Sequence, residues 1–156
     1  MSRNITHFLR ERAIPFTVTN HPAVWTVAES MRAMPDKFPV KNLLLFEEKG
    51  ERFFLVVMKG DERLDVKKMA ADLGAKKLRF ASDDQLHHKL QTVAGAVSLF
   101  DIFGSDGVEL ILDARLVDQP ELGFHPGSNN KTVLLSWSSV LALLQAQSVK
   151  YSVLSL

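Results

Sequence analysis

A chain of 156 residues is long enough for one domain with a sizeable hydrophobic core. With 46% hydrophobic and 24% charged residues, it is expected to be globular rather than disordered. Its 19 basic and 18 acidic side chains leave a net charge of +1, against binding to long DNA or RNA through bulk charge, and the lack of cysteine excludes disulfides, thiolate metal sites and cysteine nucleophiles.

Ile5, Phe8 and Leu9 recur at helical spacing and predict a short amphipathic helix over Ser2–Arg12, ended by Ala13–Pro15. The opening residues contain no apolar core of signal-peptide length, and no run approaches the ~18 apolar residues of a membrane span. A soluble cytoplasmic protein is the expectation. Phe16–Thr19 reads as a strand. Thr26–Ala33 reads as a second helix, with Thr26 at the N-cap and Glu29 three residues on. Pro35 and Pro39 then break the pattern. Val40–Glu47 and Arg52–Met58 are apolar strands around the turn signal Glu48-Lys49-Gly50-Glu51, so they form a hairpin.

Asp65 caps a helix running to Leu73, which Gly74 stops, and Val66, Met69, Ala70 and Leu73 are its buried stripe. Leu78–Phe80 is a short strand. Ser82-Asp83-Asp84-Gln85 has the form of a capping box opening a helix to about Leu90. Gly95–Phe100 is a small-residue loop or strand, and Val108–Asp113 is a strand. Thr132–Leu135 is another, Ser136 or Ser138 caps a helix to about Ala146, and Tyr151–Leu154 adds an edge strand or tail. The mixture predicts an α+β fold, with a mixed, mostly antiparallel sheet and surrounding helices in a single domain over residues 1–156.

The stretch Gly123–Thr132, GFHPGSNNKT, sets polar side chains beside a Pro-Gly turn. Pro126 fixes its own φ and biases His125 towards extended backbone, while Gly127 permits dihedrals closed to other residues. His125 is either a solvent-facing turn residue or an acid–base group, since its ordinary pKa is near ~6.5. No triad spacing accompanies it, and no HExxH-type pair marks a zinc site. Lys41 opens an apolar strand. It either binds a phosphate or polarises a carbonyl, or reaches solvent along its stem. Lys59, Arg63, Lys67, Lys68, Lys76, Lys77 and Arg79 make a basic-rich stretch, either a solvated face or a patch for RNA phosphates. His87 and His88 read as surface residues. Trp25 and Trp137 read as core or rim residues rather than stacking platforms. Asp101, Asp106 and Asp113 offer no defensible carboxylate pair.

Taken together, these pieces resemble the YbaK-like aminoacyl-tRNA deacylases, in particular the free-standing prolyl-tRNA editing proteins. Those are similar to the editing domain inserted in bacterial prolyl-tRNA synthetase. The matching segments, in order, are His21-Pro22 with Thr26 and Glu29, Lys41-Asn42-Leu43, Lys59-Gly60-Asp61 leading into Leu64–Lys68, and Leu73-Gly74. Leu78, Phe80-Ala81-Ser82, Gly95-Ala96-Val97-Ser98, and Phe124-His125-Pro126 with Asn129 and Thr132 follow. Two departures stand out. Leu99 replaces the proline that usually ends a Gly-x-x-x-Pro loop, and Asp101 follows Phe100 where a glycine is usual soon after. The Ser-x-Gly-x-Arg-Gly signature of the cysteinyl branch is absent.

The resemblance implies hydrolysis of the ester joining a wrong amino acid to the terminal adenosine of tRNA, most of all alanyl-tRNA(Pro). Another small aminoacyl ester, or a non-catalytic tRNA- or synthetase-binding module, is the alternative. It implies no metal, no cofactor and no covalent nucleophile. Water attacks the ester with help from a ribose hydroxyl. Lys41, Gly95 and His125 carry the reaction on this reading, with Thr26, Asn42, Lys59, Ser98, Phe124, Gly127 and Asn129 binding substrate. The acceptor end of mischarged tRNA is the implied partner, and prolyl-tRNA synthetase a candidate second one. Leu99 is expected to affect the choice of amino acid.

Overall fold

The computed structural model describes residues 4–34, 37–49, 51–128 and 130–156, with Val27 and Ser30 described by backbone alone. Ser2, Pro35, Gly50 and Asn129, which figure in the expectations above, lie outside them. The elements run α1 (Ile5–Glu11), β1 (Thr17–Asn20), α2 (Val27–Ala33), β2 (Val40–Glu47), β3 (Phe53–Lys59), α3 (Val66–Leu73), β4 (Leu78–Phe80) and α4 (Asp83–Leu90). A 3-10 helix (Leu99–Gly104), β5 (Val108–Asp113), a 3-10 turn (Ala114–Leu116), β6 (Leu122–Phe124), β7 (Lys131–Leu135), α5 (Trp137–Ala146) and β8 (Tyr151–Leu154) follow.

The α+β expectation holds, but the strands divide into two sheets. The larger has the order β4-β2-β3-β5-β8 and the smaller β1-β7-β6. The β2–β3 hairpin is antiparallel, pairing Val40 with Lys59 and Phe46 with Phe53. In contrast, β3 with β5 and β5 with β8 are parallel, because the chain crosses over between them. The smaller sheet is antiparallel throughout.

Period-two alternation on β3 builds the interior. Phe53, Leu55 and Val57 face a core shared with the smaller sheet, α1, α4, α5 and the 3-10 helix. Phe54, Val56 and Met58 face the other way, onto Met69 of α3 and onto Leu64 just before that helix. A strand buried on both faces reads as a continuous apolar run, as FFLVVM (Phe53–Met58) does. Each such large side chain contributes about 1.5–3 kcal/mol on leaving water.

The helix ends follow their capping residues. Asn4, Asp65 and Ser136 accept from the backbone N–H three residues on, and Ser82 with Gln85 completes a reciprocal capping box. Gly74 ends α3 in the left-handed region, at φ +64°. The segment at Gly95–Phe100 is not a strand. It is a turn leading into the 3-10 helix, which Ser98 caps. Gly123 and Phe124 belong to β6, so the polar turn begins only at His125. No helix among the described residues is long and apolar enough to cross a membrane.

Candidate active site

Strand β4 covers only Leu45–Glu47 of β2, so the first half of β2 is left free on that side. Val40–Leu43 there line a cleft of about 210 Å³ together with Val24–Thr26, Gly95, Val97 and His125. Segments far apart in sequence thus bring Thr26, Lys41, Asn42, Gly95 and His125 to one place. An adjoining cavity of about 240 Å³ shares His125 and is bordered by Ser98 and Gly127. Lys59 and Phe124 line neither.

Lys41 and Asn42 project from opposite faces of β2, by strand alternation. The Lys41 ammonium donates to the backbone carbonyl of Glu62. Burial pulls its pKa below the ordinary lysine value. Asp61 and Glu62 oppose that shift, and the Arg115 guanidinium adds to it. Asn42 is the reverse case. Its Oδ1 is buried and has no hydrogen-bond partner among the described residues. A buried acceptor left unpaired costs about 1–3 kcal/mol. Retaining one at the wall of a cleft suits a ligand that brings a donor.

His125 is fixed by the smaller sheet. Its Nδ1 lies 3.0 Å from the Lys131 carbonyl oxygen, which can only accept, so Nδ1 carries the proton. The neutral ring then offers Nε2 as an acceptor. His21 is tied on both nitrogens. Nδ1 donates to the Pro22 carbonyl at 2.8 Å, and Nε2 accepts from the Thr132 hydroxyl at 2.8 Å. Gly123 makes room for this arrangement, because a Cβ there would stand 2.8 Å from Thr132 Cγ2. His21 is therefore a latch on the strand that follows the His125 turn.

The opposite wall rests on Gly95. Its φ of +85° lies in the left-handed region, and a Cβ would stand 3.3 Å from the Trp25 carbonyl oxygen. Trp25 is held in turn by its own N–H, which donates to Glu29 Oε2 at 2.9 Å, while Thr26 Oγ1 accepts from the Glu29 N–H at 3.0 Å. The expected Thr26 cap is thus present, with the Glu29 carboxylate reaching one residue further back. Trp137 is buried, as a core residue should be, but Trp25 is 65% exposed at the cleft rim.

Ser98 is buried and occupied as a cap. Its Oγ accepts from the Phe100 N–H at 3.3 Å, and its N–H donates to Asp101 Oδ2 at 2.8 Å. Burial pushes the Asp101 carboxyl up to about 6, against the lowering effect of the Ser98 N–H. The sequence signal of this box is the Ser-x-x-Asp spacing of Ser98 and Asp101. Leu99, at the first position of the 3-10 helix, is fully buried in the main core and lines neither cavity. A proline at the first turn of a helix forfeits no hydrogen bond there. The Leu99 departure is thus one of core packing rather than of cleft wall.

Phe124 is 2% exposed and packs on Phe100, with ring centroids 5.7 Å apart. Its environment is that of a core residue. The Lys59 ammonium pairs with Asp61 at 3.1 Å. Elsewhere in the basic stretch, Lys68 pairs with Asp72 and Arg79 with Glu48, each at 3.1 Å. Part of that charge is therefore locally balanced. Among the described residues, no group of three or more His, Asp or Glu side chains is placed to hold a metal ion.

Comparison with known proteins bears on this arrangement. Residues 21–143 match the model of the aminoacyl-tRNA editing domain. The prolyl-tRNA editing protein ProX of Acetoanaerobium sticklandii is 32% identical over 152 residues, covering 95% of this chain and 93% of that protein. The prolyl-tRNA synthetase associated domain-containing protein 1 of Mus musculus is 29% identical, over 86% of this chain and 83% of that one. A solved structure of a candidate trans-editing enzyme for prolyl tRNA synthetase superposes with a TM-score of 0.70 at 23% identity, covering 97% of this chain and 92% of that one, which bears on the fold. The cleft formed by Lys41, Asn42, Gly95 and His125 lies within the matched span, and the chain belongs to the aminoacyl-tRNA editing domain family.

Proposed function

We propose that this protein hydrolyses mischarged tRNA in trans, with alanyl-tRNA(Pro) as substrate, in the cytoplasm where tRNA is charged. The observation that carries the reading is the meeting of Lys41, Asn42, Gly95 and His125 at one cleft. Water adds to the ester carbonyl, the bond from that carbon to the ribose oxygen breaks, and the ribose oxygen takes a proton. Free alanine and uncharged tRNA leave. An aminoacyl ester is already activated, so positioning and stabilisation of the developing oxyanion suffice. One well-placed donor contributes roughly 3 kcal/mol to such a step. The Lys41 ammonium and backbone N–H groups around Gly95 are suited to that task. Asn42 Oδ1 is suited to accept from the substrate's amino group or a ribose hydroxyl. His125 Nε2 orients a hydroxyl as an acceptor, and no general-base role is assigned to it.

Selection follows from size. A methylene is worth only ~1–3 kcal/mol in a pocket, so a site built for proline admits alanine, whereas a tighter second site admits alanine and excludes proline. Association with prolyl-tRNA synthetase would deliver the product of the error directly. The test is deacylation of alanyl-tRNA(Pro) beside prolyl-tRNA(Pro), with wild type and Lys41→Ala. Wild type is expected to release alanine and spare proline, and Lys41→Ala to fall by about 100-fold. Equal cleavage of both esters would overturn the size argument. An unimpaired Lys41→Ala would overturn the role of that residue.

A further inference from the structure

We infer that Trp25 is a stacking platform for the unpaired terminal adenine of the tRNA acceptor end. The inference rests on the deacylase reading above. Tryptophan brings more apolar area than any other side chain and is highly buried on average. Trp137 behaves so at 8% exposure, while Trp25 remains 65% exposed. Since the indole makes up most of the residue's surface, exposure of that degree leaves much of the ring in solvent. Among the described residues, it has no aromatic or cation–π partner.

The backbone of Trp25, by contrast, is held firmly. Glu29 accepts from its N–H, and Gly95 packs against its carbonyl oxygen. Thr26, one residue on, caps α2. A pinned backbone carrying a free aromatic ring is a means of presenting that ring. Its location decides what it is presented to. Trp25 borders the same cleft as Lys41, Asn42 and His125. If the scissile ester lies in that cleft, the ribose bearing it lies at the mouth, and the base attached to that ribose reaches the rim. Single-stranded RNA ends are recognised by stacking splayed bases on aromatic side chains. Such stacking tolerates any base face and is lost on replacement by alanine.

The experiment has two arms. In the first, deacylation is measured for wild type, Trp25→Phe, Trp25→Leu and Trp25→Ala. The Phe variant should keep most of the activity, while Leu and Ala lose roughly 5- to 150-fold in kcat/KM, the range expected for one stacked base. Leu and Phe variants that behave alike would overturn stacking in favour of simple bulk. In the second, an uncharged hairpin RNA ending in CCA is titrated against indole fluorescence, beside the same hairpin without its terminal adenosine. The full end should quench wild type, the trimmed end should do so far less, and neither should change Trp25→Phe, in which only Trp137 reports. Equal quenching by both RNAs would overturn the assignment to the terminal base. A wild type inert towards every aminoacyl ester would sink the deacylase reading, and the fluorescence arm would still decide whether Trp25 meets an RNA end.

Discussion

The imidazole rings of His21 and His125 stand with their centroids 6.1 Å apart and their planes tilted by 59°. Each ring binds a backbone carbonyl through Nδ1, but they differ at Nε2. In His21 that atom is taken by Thr132, and in His125 it has no such anchor among the described residues. The pair divides into one histidine that builds and one that faces the cleft.

His21→Ala is accordingly expected to act on stability. It strips the partner from a hydroxyl on Thr132, which is only 2% exposed, at about 1–3 kcal/mol. Thr132→Val should cost less, because the half-buried His21 can still reach water. The two losses should not add in the double variant, since both remove one bond. Urea denaturation of the three variants measures this, and a His21→Ala midpoint equal to wild type would refute the latch.

Gly95→Ala tests the cleft wall. An L-residue at φ +85° carries a backbone penalty of roughly 1–2 kcal/mol, and the new methyl group would press on the Trp25 carbonyl. The wall must shift by a fraction of an ångström. Misplacement on the ångström scale can lower turnover by about 100-fold. The expected result is a modest drop in melting temperature with a tenfold or larger drop in kcat/KM. Activity falling only as far as stability predicts would show that the wall does not position substrate.

How far these features were legible in the sequence depends on the range of the interactions behind them. Local signals carry the elements they announce. The β2–β3 hairpin, the Asp65 and Ser82 caps and the Gly74 stop each depend on residues within a few positions. The division into two sheets was not legible, because β6 is three residues long and becomes a strand only by pairing with β7. Phe124 illustrates the consequence. It belongs with His125 to the Phe124-His125-Pro126 segment that carries the family resemblance, which suggested a site residue, but strand alternation sends the Phe124 ring into the core beside Phe100. Leu99, expected from the family resemblance to affect the choice of amino acid, is likewise buried in the core. The bond from His21 to Thr132 spans 111 positions, and no local pattern announces it.

Asp101 predicts a pH dependence of stability. Its carboxyl titrates near 6 when folded, because burial disfavours the charged form, and near the ordinary ~3.9 when unfolded. The folded state therefore holds the proton more tightly. This contribution is full below about pH 4 and is lost as pH rises through 6, to a limit of about 3 kcal/mol. Asp101→Asn keeps an acceptor for the Ser98 N–H but no charge. The variant should match wild type near pH 4 and exceed it near pH 8. Denaturation curves whose separation stays constant across that range would rule this out.

Asn42→Ala should separate stability from activity. Most buried polar side chains stabilise a fold through their hydrogen bonds, so removing one usually costs both. Here Oδ1 has no bond to lose among the described residues, and its burial is already a penalty. Deleting it should leave the unfolding free energy unchanged or raise it by up to about 1 kcal/mol, after the loss of side-chain packing is set against the relief. If the acceptor meets a donor only when substrate enters, deacylation should fall by about 10-fold or more. A fall mainly in kcat would mean that the bond forms in the transition state, whereas a rise in KM alone would mean uniform binding. A variant both less stable and fully active would show that Asn42 serves the fold and not the substrate.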